Sequence, residues 1–162
     1  MSAAVLAFVC GGVVAVIVNS QAAGTSQSTA ALKSAIALEQ INAKQYLAQM
    51  SKAQKRFYQN SGRFAATLEE LERSAAIMFQ SAHYTYKLTI RDQIQSELRA
   101  TPKVDGMKSY TSLVMLSQAA DGSSAIAGKI CETDQPSDVP PITPQMMEVG
   151  LQCPVNSTNV PF

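Results

Sequence analysis

Three cysteines, one histidine and a clutch of glutamates have the greatest chemical reach in this 162-residue chain. Cys131 and Cys153 lie in polar sequence and bracket a proline-rich loop, whereas Cys10 sits in an apolar run. The natural pair is therefore Cys131 with Cys153. A disulfide closing a loop of about two dozen residues gains on the order of 3 kcal/mol and persists outside the cytoplasm. The alternative is two unpaired thiols that happen to flank a loop. His83 is placed on the polar side of a strand beside a tyrosine, the setting of a surface residue rather than a general base. No serine and acid can be singled out to complete a triad with it. One histidine and two oxidised cysteines also make a poor zinc site. Glu69, Glu70 and Glu72 fit the start of a helix, where carboxylates complement the dipole. Gly11-Gly12 lies within the apolar run, not between a strand and a helix, so it is no phosphate cradle. Two small residues there would let a neighbouring membrane helix approach closely, unless they are mere packing irregularity. The expectation is a non-enzyme with no cofactor, no metal and no small-molecule substrate.

The elements that must position these residues begin with an imbalance of charge. Charged residues make up 15% of the chain, and none precedes Lys33; an average soluble domain carries roughly 25%. The net charge of +1 argues against a nucleic-acid binder, which needs a basic stripe to hold phosphates. The run from Ala3 to Val18 has no charged or strongly polar residue. As a helix it would span roughly 24 Å, short of a hydrocarbon core of about 30 Å. Continuation through Asn19-Ser20-Gln21-Ala22-Ala23 would complete a crossing. Residues 1–24 therefore read as a transmembrane anchor. A cleaved signal peptide competes, since Ser20-Gln21-Ala22 fits a cleavage site, and so does a buried core helix. The basic residues Lys33, Lys44, Lys52, Lys55 and Arg56 all follow the run, which by the positive-inside rule points to a cytoplasmic C-terminal domain. The cysteine pair points the other way, to an oxidising space.

Beyond Leu32 the pattern turns helical. Leu32, Ile36, Glu39, Ala43, Tyr46, Met50, Ala53 and Phe57 recur four and three apart, with only Glu39 interrupting an apolar seam. Lys33, Gln40, Lys44, Gln54 and Lys55 fall on the other side and are expected to meet water. This amphipathic helix, about residues 29–60, stops at Asn60-Ser61-Gly62. The polar stretch Gly24-Thr25-Ser26-Gln27-Ser28 is expected to melt or kink the long helix. A second, short helix starts at Thr67, with Glu70 reaching back to the cap amide. Strand-like alternation follows at Tyr84, Tyr86, Leu88 and Ile90. Arg91 to Leu98 is ambiguous between strand and helix. Tyr110–Ser117 and Ser124–Cys131 are β-prone, joined by a turn at Asp121-Gly122, which sets the sheet at about 83–131. From Glu132 onward six prolines are expected to preclude regular structure, leaving a loop over 132–162. The fold class is α+β: a long N-terminal helix, half membrane and half amphipathic, packed on a small antiparallel β-sheet with a disulfide-closed C-terminal loop.

This order resembles the type IV pilins and pseudopilins, and especially the cyanobacterial type IV pilin-like G and H proteins. The residues carrying the likeness are Tyr46–Gln54, Phe57-Tyr58, Asn60–Phe64 and Leu68–Leu71. Tyr84–Tyr86, Ala100–Pro102, Lys108–Tyr110, Ile130–Glu132 and Cys153 add to it. The resemblance implies that residues 25–162 form a pilin-like domain facing the periplasm or thylakoid lumen on a single-pass anchor. Family members have a short basic leader ending in Gly, then an aromatic or Met, with Glu as the fifth mature residue. Counting back from Met50 sets the corresponding start at Phe8, after Ala7, with Gly12 fifth; a start at Met1 places Val5 there.

Three roles follow from that resemblance. One is a minor pilin or pseudopilin, a structural subunit of a pilus or secretion filament among other pilin-like subunits. Another is an accessory subunit of a membrane complex, such as a photosynthetic one, where the carboxylate absent at the fifth position is not needed. A third is a secreted pilin-like binding domain.

Overall fold

The computed structural model describes residues 22–78, 80–118 and 124–162. The apolar run with Cys10, Gly11 and Gly12, and the Asp121-Gly122 turn, lie outside the described residues. The architecture is α+β. Helix α1 (Ala22–Ser61) is followed by the short α2 (Leu68–Ala75). Five strands then form one antiparallel sheet in the order β1 (Tyr84–Arg91), β2 (Gln95–Pro102), β3 (Tyr110–Gln118), β4 (Ser124–Thr133) and β7 (Ser157–Val160). A small hairpin of β5 (Gln145–Met147) and β6 (Gly150–Gln152) stands apart. Among the described residues no helix is long and apolar enough to cross a membrane.

At 1.5 Å per residue α1 is about 60 Å long. It runs through Gly24–Ser28, contrary to the expected break. One Gly and three Ser or Thr cost about 1 kcal/mol or less apiece in a helix, and flanking alanines offset part of that. The seam packs on the sheet through Ala43, Tyr46, Met50 and Ala53, all buried, with Ile36 and Phe57 partly buried at its ends. Leu32 departs from the expectation: it is 62% exposed, because α1 projects past the end of the sheet there. Leu47, which the four-three spacing does not select, is completely buried. Contact with a broad sheet and with α2 widens the buried stripe beyond a coiled-coil seam.

Gln54 is the larger correction. Expected in water, it is 1% exposed. Its Nε2 donates to the Ala65 carbonyl (3.2 Å) and the Ser96 hydroxyl (2.7 Å), while its Oε1 accepts from the Ala65 amide (2.9 Å). One side chain thus ties α1, the α1–α2 loop and β2 together. Three residues earlier Ser51 donates to the Leu47 carbonyl (2.7 Å) and meets the Ser112 hydroxyl of β3 at 2.6 Å. Thr67 caps α2 by accepting from the Glu70 amide. Glu70 reaches back to the amide of Ala66 rather than of Thr67, and also binds Arg63 at 2.6 Å.

The segment Arg91–Leu98 resolves into a turn and β2. Asp92 and Gln93 turn the chain with φ of 50° and 58°, a left-handed pair without glycine. Gly128 on β4 marks a close approach: an added Cβ would sit 2.9 Å from both Lys55 Cε and Phe162 Cζ.

The proline-rich tail is not wholly irregular. Its prolines fall between short strands, and β7 returns to pair with β4 from Ile130↔Val160 to Thr133↔Ser157. The intervening residues strap the sheet face opposite α1. Thr111 donates to the Pro141 carbonyl (2.6 Å), Ser109 to the Ser137 carbonyl, and Thr143 to Glu97. Glu97 is 2% exposed and is balanced by Arg99 at 2.8 Å and Arg91 at 3.6 Å. A carboxylate so buried would cost several kcal/mol without such partners.

Replacing Gln54 with Ala is expected to lower unfolding stability by about 3 kcal/mol. It strands the Ala65 amide, the Ala65 carbonyl and the Ser96 hydroxyl in the core. Gln49→Ala, at an exposed helix position, is expected to stay within about 0.5 kcal/mol. Urea denaturation of the two variants checks both.

Candidate assembly surface

The middle of α1, from Glu39 to Lys44, is joined to the sheet and its flanking loops by a polar network. The Gln40 Oε1 accepts from the Lys108 amide (3.0 Å). Glu132 of β4 lies between Lys108 at 3.3 Å and Lys44 at 3.7 Å. The Glu39 carboxylate sits 3.3 Å from Nδ1 of His83. Glu39 therefore interrupts the apolar seam because it faces a partner on the segment leading into β1. His83 is close to half exposed and lies against α1 through that contact. A cleft of about 330 Å³ opens beside it, lined by Leu32, Ile36, Leu38, Val104 and Met107. Among the described residues no three His, Cys, Asp or Glu side chains converge as a metal site would require.

Deeper between α1 and the sheet lie four tyrosines. The rings of Tyr46 and Tyr86 are 4.5 Å apart, those of Tyr84 and Tyr110 6.0 Å, and those of Tyr84 and Tyr86 6.2 Å. Tyr84 donates to the Lys108 carbonyl (2.8 Å) and Tyr46 to the Glu72 carboxylate (2.5 Å). Burial holds all four phenols neutral beyond the ordinary tyrosine range. Tyr84 is pushed up to about 12. For Tyr46 the Glu72 carboxylate adds to burial, and for Tyr110 the ionised form of Tyr84 does so. Such a cluster holds a helix against a sheet through ring area and directed hydroxyls.

Cys131, completely buried on β4, is bonded to Cys153 just after β6. The disulfide pins the strap to the face that α1 leaves open. Ile130, the neighbour of Cys131, points into the α1 side of the sheet.

A family model for type IV pilin-like G and H proteins matches residues 40–154. The chain belongs to that family. No curated protein and no solved structure matches it. The pilin-like match spans the buried part of α1, the α1–α2 loop, strands β1 to β6 and both cysteines. Within it the quoted Tyr46–Gln54 and Asn60–Phe64 segments supply Leu47, Met50, Ser51 and Gln54 to the core and Arg63 to the Glu70 clamp.

The seam residues Ala43, Tyr46, Met50 and Ala53 and the pair Cys131–Cys153 thus sit on opposite faces of one sheet. Gly11 and Gly12 lie outside the described residues. The sequence reading placed Gln54 in water and gave no buried role to Ser51, Glu97 or the strap hydroxyls. A polar residue inside a helical apolar stripe, as Ser51 and Gln54 are beside Leu47 and Met50, is the signal that could have found them.

The tyrosine cluster sets an alkaline limit. Each phenol ionises near pH 10 in the unfolded chain and higher in the fold. Its contribution is therefore whole below pH 10 and is lost as pH rises through the folded values. Tyrosinate absorbance and circular dichroism, followed together in alkali, are expected to change in one concerted step above pH 10. Early ionisation of four phenols in a still-folded chain would contradict this. Reduction of Cys131–Cys153 is expected to remove about 3 kcal/mol, read as a lower urea midpoint in reductant.

Proposed function

We propose that this pilin-like chain is a structural subunit, a minor pilin or pseudopilin, of a pilus or secretion filament. The carrying observation is the family match over a domain whose spine is a helix longer than its sheet. From Thr29 to Leu38 every residue of α1 except Ile36 is exposed. A spine that leaves its own domain with Leu32, Ala35 and Leu38 in solvent has contacts to make elsewhere. In this reading the apolar run Ala3–Val18 holds the chain in a membrane as a single pass. The domain stands in the periplasm or a thylakoid lumen, and other pilin-like subunits pack around the spine. The Cys131–Cys153 bond supports the oxidising side, since structural disulfides persist there.

Shearing of intact cells separates this role from that of an accessory subunit of a membrane complex. The full chain is expected in the sheared filament fraction, together with other pilin-like subunits. Retention in the membrane, with migration in a large complex on blue-native gels, would overturn the filament role.

A further inference from the structure

The two edges of the sheet are unequally open. β7 has four residues and stands between Pro154 and Pro161, and a proline has no amide to offer a further strand. β1 has eight residues without glycine, proline or bulge, and its one neighbour in the sheet is β2. The Lys103 amide donates to the His83 carbonyl (2.8 Å). Alternation from that bond along the register turns the backbone groups of Thr85, Lys87, Thr89 and Arg91 toward β2 and those of Leu88 and Ile90 outward. The Tyr84 amide, also outward, is taken by the Ser81 hydroxyl (3.0 Å). Among the described residues no hydrogen bond reaches the outward groups of Leu88 and Ile90. Such an edge is a template for another strand.

The side chains of β1 are sorted by face. Tyr86 and Leu88 pack against the core between α1 and the sheet. On the other face Thr85, Lys87 and Arg91 are exposed. Lys87 lies directly opposite Arg99 of β2, a like-charged pair that costs stability in an antiparallel ladder. Arg91 and Arg99 share the buried Glu97. No described acid comes within ion-pair distance of Lys87. Two exposed acids stand at the ends of the β1–β2 pair, Asp92 in the turn and Asp138 in the cleft beside Pro102.

We infer that β1 takes an extended segment of a partner protein, alternating apolar and acidic residues, as an added antiparallel strand. The apolar residues of that segment lie beside Leu88 and Ile90 and exchange backbone hydrogen bonds with them. An acid then stands opposite Lys87, in a pair without backbone bonds, where side chains come closest. There it relieves the repulsion between Lys87 and Arg99. A second copy of this chain is a poorer occupant, because β1 against β1 gathers two sets of Lys87, Arg91 and Arg99 on one face. This contact goes beyond the filament role and does not rest on it.

The probe is a short blocked peptide of alternating valine and glutamate, N-methylated on its glutamate amides so that it cannot stack on itself. It is added to the full-length chain in detergent micelles. Binding should slow hydrogen exchange at the Leu88 and Ile90 amides about tenfold or more. The same peptide methylated on its valine amides should not bind, since those amides face β1. Lys87→Glu should weaken the glutamate peptide about tenfold at low salt and strengthen a lysine counterpart, with circular dichroism unchanged. Binding that ignores which amides are methylated would overturn the added strand, and indifference to Lys87→Glu would overturn the acidic partner. Failure of both peptides to bind would overturn the whole inference. So would Leu88 and Ile90 amides that slow with rising concentration of the chain alone, because a second copy would then hold the edge. Association of Lys87→Thr copies, with no peptide bound by the unaltered chain, would make Lys87 a guard of the edge and sink the proposal as well.

Discussion

One contact organises this protein: the buried face of α1 against the middle strands of the sheet. Ala43, Leu47 and Met50 bring the backbone close, and the aromatic rings of Tyr46, Tyr84, Tyr86 and Tyr110 fill the space toward β1. Apolar burial of this kind supplies most of the stability, at about 25 cal/mol per Å², but it does not fix register. Register comes from the polar groups sunk into it. Gln54 allows one placement of the α1–α2 loop, and Ser51 allows one placement of β3. At the other end Gln40 and the Lys44–Glu132–Lys108 series repeat the device in a wetter setting.

The second face of the sheet is covered without a helix. A strap of prolines and short strands is held by single hydroxyl-to-carbonyl hooks, by the Glu97 cluster and by the disulfide. Such a segment buries little apolar area of its own, so covalent closure contributes more here than it would in a thick core. The strap therefore keeps an outward side rich in exposed apolar and acidic residues, including Ile142, Met147 and Val149. The pilin-like domain thus presents two unlike surfaces on either side of one sheet.

Much of this was legible in the sequence, and for physical reasons. The four-three spacing of the α1 seam and the strict alternation of Tyr84 to Ile90 are periodic signals set by one dominant neighbour. The cysteine pair was legible because Cys10 was removed from consideration by its apolar surroundings. What failed was sequence whose polarity has a hidden partner. Polar residues such as Glu97 left Arg91 to Leu98 ambiguous between strand and helix, although Glu97 is buried in β2 with Arg99 and Thr143 as partners. Asp92 and Gln93 turn the chain without glycine. Gln54 looked like surface because its partners, Ala65 and Ser96, are 11 and 42 residues away. The β-strands of the tail were masked by prolines that prove to lie between them.

The account makes α1 a helix of two unequal halves, one locked to the sheet and one standing clear of it. Hydrogen exchange along the native helix measures that division directly. Amides from Ala43 to Phe57 should exchange only through global unfolding, while those from Thr29 to Leu38 exchange orders of magnitude faster through local opening. Equal protection along the whole helix in the isolated chain, or rapid exchange around Leu47 and Met50, would contradict it.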